Sequence, residues 1–308
     1  MSTLTAPETA AGPSGPSQFS HRSGTRGTKN VIATGVMWAA FLVALVPLAW
    51  IMWVVLSKGW DVLASATWWQ KDQSGALPPG FDHAVRGGRH AVVGTLLMAT
   101  LTSVIAVPIA VLTAIYLVEY GRGRTARLVS FMVDILSGIP SIVAALFIFA
   151  VWVTTFGLKL VPACASLALA MLMIPVVTRS TEEMLKLVPN ELREASYALG
   201  VPKWRTIVKV VLPTAFSGIV TGVLLGFARV AGETAPLLLL AAYSPYLNQN
   251  LFSGSMGALP TLINNQFLNI ADPISADRVW GAAATLILLV LVINLLGRLV
   301  GRFAKVHR

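Results

Sequence analysis

Residues 91–118 read AVVGTLLMATLTSVIAVPIAVLTAIYLV, 28 positions without one Asp, Glu, Lys or Arg. A helix that crosses a bilayer needs about 20 mostly apolar residues, so this stretch alone points to a membrane span. Four other stretches are equally free of charge: 31–57, 160–178, 210–228 and 279–297. A further one, 128–158, is interrupted only by Asp134. The expected fold is an all-α integral membrane protein with six transmembrane helices. The spans are placed at about 31–57, 91–118, 128–158, 160–178, 210–234 and 279–297.

Composition agrees. Hydrophobic residues make up 56% of the 308 and charged residues 12%, against about 25% charged in ordinary soluble domains. Mean hydropathy is +0.74. This excludes an ordinary soluble globular protein and a disordered chain. The single cysteine, Cys164, excludes an intrachain disulfide and a cysteine-based metal cluster. The net charge of +10 would suggest nucleic acid in a soluble protein; here it reports orientation. Six spans put both termini on one side. The segments on that side hold 16 of the 23 Lys and Arg, and the alternate segments hold seven. Cytoplasmic loops carry the basic excess, so both termini are expected in the cytoplasm.

Residues 1–29, rich in Ser, Thr, Gly, Pro and Ala, read as a disordered cytoplasmic tail ahead of a transmembrane region of 30–308. The alternative is a signal peptide cleaved near Ala64–Ala66. It conflicts with the length of 31–57, since the apolar core of a signal is about 7–15 residues. No G-x-x-x-x-G-K-[ST] loop occurs, and the Gly121–Arg124 run lacks the lysine and the strand that such a loop needs. His21 and His307 lie in the tails, and His83 and His90 in an exterior segment. No catalytic arrangement emerges, and no catalytic residue or metal site is assigned.

The interior loop 179–209 is the most informative segment. Asn190 is placed as the cap of a short helix whose first turn holds Glu191 and Glu194. Gly200 sits where such a helix ends, and Val201-Pro202 opens the next segment. Leu192, Ala195 and Leu199 fall on one stripe. Ala195 and Ser196 are small enough to let another backbone approach. Such a helix either lies against its own bundle or docks in a partner's groove.

The run from Arg193 to Pro213, REASYALGVPKWRTIVKVVLP, resembles the signature loop of permease subunits of ABC importers: E-A-A, three residues, Gly, nine residues, I-x-L-P. Glu194, Ala195, Ser196, Gly200, Val210, Leu212 and Pro213 fill it, with Ser196 in place of the second Ala and Val210 in place of Ile. The resemblance implies that this loop docks on an ATP-hydrolysing subunit through Glu194, Ala195, Ser196, Gly200, Val201 and Pro202.

Charges within spans are functional candidates. Arg229 and Glu233, in FARVAGETAP, stand four apart and can pair on a helix. They are either a structural pair at the span end, with Arg229 reaching the exterior interface, or an anion-selective element, because guanidinium matches oxyanions bidentately. Gly232 and Pro236 mark an expected helix break, and broken spans commonly hold transport sites. Asp134 is either solvated or paired with Arg127. Arg179 is expected to reach the interior interface. In LSGIPSIVAALF, 136–147, Pro140 frees the Leu136 carbonyl. Ser137 and Ser141 either satisfy it or line a polar path, and a kink alone is the other reading.

Together these three stretches resemble the PstA-type permeases of phosphate ABC importers. Arg229, Gly232 and Glu233 match an R-x-x-G-E element shared with sulfate and molybdate permeases, and Thr234-Ala235-Pro236 is closer to the phosphate members. The resemblance implies a MetI-like fold in the cell membrane and half of a translocation pore for inorganic phosphate. It implies a second permease of the PstC type, a PstB-type ATPase dimer and an extracytoplasmic PstS-type phosphate-binding protein. That protein would dock on 58–90 and 243–278, including Asn248–Ser255. No cofactor is expected on this chain; ATP-Mg belongs to the partner ATPase. The alternatives are another oxyanion or a stand-alone secondary transporter. Membrane lipid is an expected partner and nucleic acid is not.

Overall fold

The computed structural model describes residues 25–75 and 87–306. Among the described residues all regular structure is helical. The first helix, α1 (Thr25–Ala64), divides between two units, one ending at Trp53 and the other beginning at Val54. Its part up to Trp53 exposes Val36, Trp38, Phe41, Val46, Trp50 and Trp53. A helix that is apolar on all sides suits a hydrocarbon environment. The helix starts at Thr25, inside the stretch assigned to the tail; residues 1–24 lie outside the described residues.

The second unit holds α2 (Ala66–Gln70), α3 (Arg89–Ile115, continued by a π turn to Tyr120), α4 (Gly123–Gly138) and α5 (Ser141–Phe149, continued by a π turn to Thr155). Next come α6 (Pro162–Lys186), α7 (Asn190–Ala198), α8 (Lys203–Thr206), α9 (Leu212–Ala231) and α10 (Ala235–Leu240). The last are α11 (Leu259–Phe267) and α12 (Pro273–Val306). Five helical runs are long and apolar enough to cross a membrane: Gly27–Ala64, Arg89–Tyr120, Pro162–Lys186, Lys203–Ala231 and Pro273–Leu299. Most overrun the charge-free stretches, because long basic side chains can reach water from a helix end.

The sixth crossing is not one helix. α4 and α5 meet at a 103° bend. Pro140 lacks an N–H and forces the residue before it out of the helical region; Ile139 is extended, with φ −71° and ψ 127°. The sequence suggested a kink inside a span, and the structure has a full break. Asp134 on α4 pairs with Arg179 near one end of α6, while the Trp152 indole donates to the Lys159 carbonyl, just before α6 begins, at 3.0 Å. From Pro162 to Arg179 α6 rises about 27 Å, close to a hydrocarbon core of about 30 Å. The bent pair therefore covers the whole depth and counts as one crossing.

The core lies between α3 and α6, which run parallel. Thr178 donates to the Ala110 carbonyl at 3.4 Å, and Ser166 to the Met98 carbonyl at 3.2 Å. Buried Ala99, Ala106, Ala110, Ala165 and Ala168 let the two backbones approach. Lipid supplies no hydrophobic drive between helices, so close packing and interhelical hydrogen bonds hold them. On α9, Gly218, Gly222 and Gly226 repeat every four residues against Met184, Ser180 and Val177 of α6. A Cβ at Gly222 would lie 2.1 Å from the Ser180 hydroxyl, so glycine sets the α6–α9 spacing.

Candidate functional site

Two places collect the residues singled out by the sequence. The first is the end of the bundle that carries residues 187–202, called here the loop end. The loop is shorter than 179–209, since 179–186 completes α6 and 203–209 already belongs to the run into α9. Asn190 is the first helical residue of α7, not its cap: Pro189 precedes the helix, and the Asn190 amide oxygen accepts from Arg193 at 3.3 Å. The C-terminus of α7 is as expected. Gly200 has φ +75°, its N–H bonds the Tyr197 carbonyl at 2.9 Å, and the Val201 N–H bonds the Ser196 carbonyl at 3.2 Å. These two bonds make a Schellman cap, which requires a left-handed residue at that position.

Leu192, Glu194, Ala195, Leu199 and Pro202 are exposed, and Val201 is half-buried. Leu199 is 83% exposed and Trp204 on α8 is 58% exposed, so the loop shows an apolar stripe left uncovered among the described residues. Ser196 differs from the expectation. It is 6% exposed, and its hydroxyl meets that of fully buried Thr206 at 2.8 Å. Its small size lets α8 approach within the chain.

The anchor of this loop was not visible in the sequence. The Arg193 guanidinium pairs with Glu119 at 3.0 Å and donates to the Leu185 and Val188 carbonyls at 2.9 and 2.6 Å. The Lys203 ammonium donates to the Glu119 carbonyl and lies 4.8 Å from the centre of the Tyr120 ring. One π turn at the end of α3 thus holds both arms of the loop. Nearby, Asp134 pairs with Arg179 rather than Arg127, and Arg179 also binds Glu182 at 2.6 Å and the Ser130 hydroxyl at 2.8 Å. Arg179 is therefore engaged in a polar cluster, not simply extended to an interface.

The second place is the break between α9 and α10. Gly232 ends α9, and Thr234 precedes α10 with Pro236 in its first turn. Pro236 cannot donate to the preceding turn, and the helix restarts with the Leu238 N–H on the Thr234 carbonyl at 3.0 Å. Arg229 and Glu233 face each other across the turn, Nε to Oε1, at 3.7 Å. That is an ion pair beyond hydrogen-bond distance. The Arg229 side chain is 55% exposed and that of Glu233 19%. The pair is not at the exterior end of its span. Gly232 shares a 240 Å³ pocket with Leu286, and Leu286 is central in Pro273–Leu299. Arg229 therefore stands near mid-depth, and among the described residues its guanidinium donates no hydrogen bond.

Ser137 donates to the Asp134 carbonyl at 2.8 Å, and Leu136 O accepts the Ile139 N–H at 3.4 Å. The structure does not bring Ser137 or Ser141 into hydrogen-bond contact with Arg229 or Glu233. The helix that Ser141 begins does pack against α10 and α6.

At the far end of the bundle, 65–75 is tied to 243–258. The Asp72 carboxylate accepts the Leu247 N–H at 2.9 Å, Gln73 N–H bonds the Pro245 carbonyl at 3.1 Å, and the Tyr243 hydroxyl donates to Gln73 at 2.9 Å. Burial pushes the Asp72 carboxyl up, but hydrogen bonds from Ser74 and Leu247 outweigh it and hold its pKa below the usual 3.8. Asn248 closes its own loop through the Ser253 and Ser255 carbonyls, leaving Tyr246 and Phe252 exposed. Residues 76–86, within the expected docking segment 58–90, lie outside the described residues.

Residues 87–305 match the family described as binding-protein-dependent transport system inner membrane component. The chain belongs to this family. The permease is 48% identical over 308 residues, all of both chains, to phosphate transport system permease protein PstA 1 of Mycobacterium tuberculosis (strain CDC 1551 / Oshkosh). It is 37% identical over 283 residues to PstA of Yersinia pestis, covering 91% of this chain and 92% of that one. The resemblance to PstA-type permeases is thereby borne out. Among solved structures, the permease is similar to a chain of a bacterial alginate ABC transporter, with TM-score 0.61 at 15% identity over 87% of this chain and 94% of that one. It is also similar to a chain of the inward-facing MetNI methionine ABC transporter, with TM-score 0.55 at 22% identity over 70% and 93%. The expected MetI-like permease fold is the fold observed.

Proposed function

We propose that this chain is the permease subunit of an ATP-driven importer of inorganic phosphate and forms half of its translocation pore. The observation that carries the reading is Arg229: a guanidinium near mid-depth, at a helix break, with Glu233 at 3.7 Å and no hydrogen-bond acceptor among the described residues. A planar fork of donors matches a tetrahedral oxyanion bidentately. Glu233 orients the fork and partly balances its charge while the site is empty. The phosphate permeases at 48% and 37% identity favour phosphate over sulfate or molybdate.

The loop around Glu194–Gly200 would receive the motion of a PstB-type ATPase dimer through its exposed apolar stripe. The ATP and its Mg would stay on that partner, so the permease itself performs no hydrolysis. A PstC-type permease would complete the pore, and a PstS-type binding protein would deliver phosphate to the far end beside Tyr246 and Phe252. Both termini would then face the cytoplasm of a multi-pass cell-membrane protein, as the basic residues at the loop end require.

The test is uptake of radiolabelled phosphate and sulfate in cells lacking this chain and lacking other phosphate uptake systems, then complemented. Phosphate uptake restored by the wild type but not by Arg229→Ala, with the variant still co-purifying with its partners, is the expected result. Normal uptake by Arg229→Ala would remove the anion site, and loss of sulfate uptake instead would change the substrate.

A further inference from the structure

On the loop-end half of the bundle, α6, α9 and α12 leave an open groove of about 630 Å³. Its lining combines apolar Met184 and Leu225 with the hydroxyls of Ser180, Ser217 and Thr221, and with Arg298. Three relationships give this groove a direction. Ser217, Thr221, Leu225 and Arg229 recur every four residues along α9, so they share one face. That face leads from Arg229 at mid-depth toward the loop end. Gly222 packs at Ser180, and Gly297 packs at Leu224. Arg298, next in sequence to Gly297, thus stands beside the groove about 9 Å along the helix axis from the level of Arg229.

The polar groups decide what fills it. Ser180 and Ser217 have no hydrogen-bonding partner for their hydroxyls among the described residues, and Thr221 turns its proton to its own Ser217 carbonyl at 2.8 Å, leaving its lone pairs outward. An acyl chain or an apolar helix would leave these groups without partners in a low-dielectric setting, which is costly. Water would satisfy them. The lining contains no Asp or Glu, so its formal charge is positive.

We infer that this groove is the inner part of the anion's route: a hydrated oxyanion leaving Arg229 passes along Thr221 and Ser217 toward the loop end, drawn by Arg298. The inference rests on the proposed oxyanion transport. In this role the hydroxyls hold water around the ion without binding it tightly, so the ion can leave. Arg298 acts at longer range, by raising the local anion concentration.

The test is thiol labelling in membrane vesicles that carry the assembled transporter. Cys164 is the only cysteine, so Cys164→Ala provides a clean background for Thr221→Cys and, separately, Ser217→Cys. In inverted vesicles both thiols should react with a membrane-impermeant methanethiosulfonate bearing a sulfonate, with a rate relative to the ammonium-bearing analogue higher than the two reagents show toward a small free thiol. Adding Arg298→Ala should slow the sulfonate reagent by about threefold to tenfold and speed the ammonium one. Reaction only with a membrane-permeant apolar maleimide would show a groove filled by lipid or by a partner helix and would overturn the inference. A rate ratio equal to that with the small free thiol, unchanged by Arg298→Ala, would remove Arg298 from it. Labelling as expected in a transporter that takes up sulfate but not phosphate would keep the groove and correct the substrate.

Discussion

Glu119 and Arg193, 74 positions apart, form a 3.0 Å ion pair at the loop end, with side chains only 5% and 12% exposed. Arg193 sits within the signature loop, one residue before Glu194, and Glu119 lies in the π turn that ends the α3 run. The pair fixes the loop to the helix that forms half of the core. Through the Leu185 carbonyl the same guanidinium also ties α7 to the end of α6.

Removing one partner of a nearly buried pair leaves the other charge uncompensated, which costs about 3–5 kcal/mol. Glu119→Ala should lower the thermal midpoint of the purified complex and reduce uptake at constant expression. Replacing both residues with apolar ones should recover part of the stability. A double-mutant cycle with coupling below about 0.5 kcal/mol would show that the pair is incidental.

Gly200 has φ +75°, and an added Cβ would meet nothing within 4 Å. The penalty for a side chain there is backbone strain alone, about 1–2 kcal/mol. Gly200→Asn should keep most coupling, because Asn tolerates this conformation, while Gly200→Val should separate ATP hydrolysis from uptake. Wild-type uptake and ATPase stimulation in Gly200→Val would reject the coupling role of this cap.

Ser196→Ala restores the usual second Ala of the signature but deletes the 2.8 Å contact to Thr206. The expected cost is about 1 kcal/mol in stability, seen as a lower thermal midpoint, since one buried hydroxyl loses a partner. Uptake should stay near wild type, because the side chain points into the chain and not at a partner. A strong uptake defect with unchanged stability would place Ser196 at the interface after all.

Both termini should be cytoplasmic. A cysteine added at either terminus should stay unlabelled by impermeant reagents in intact cells and become reactive after permeabilisation. Labelling from outside would overturn the orientation read from the basic residues.

Much of the fold was legible because a bilayer makes sequence periodicity simple. Every backbone polar group must be satisfied within the span, so a long charge-free run such as 91–118 has one outcome. The loop helix was legible for local reasons too: Gly200 ends it and Pro202 forbids its continuation. The helix break at Gly232 and Pro236 was readable from the same chemistry.

The depth of Arg229 was not, nor were its neighbours. A span's ends can be read only to a few residues, and the pair looked terminal until α12 placed Leu286 beside Gly232. Pairings such as Glu119 with Arg193 and Asp134 with Arg179 join elements far apart in sequence, and no local pattern encodes them. Ser196 shows the same limit at one residue: its size was visible, but which backbone it admits was not.

The sequence by itself determined a helical membrane permease with a short capped helix in its interior loop and a charged pair in its fifth span, because apolar length, helix caps and intramembrane charge are local properties. Tertiary structure alone decided that α4 and α5 make one bent crossing, that Arg229 stands near mid-depth, and that α6, α9 and α12 leave a groove lined by Arg298. Those facts depend on which faces of separate helices meet, and side-chain packing settles that only when the chain is folded.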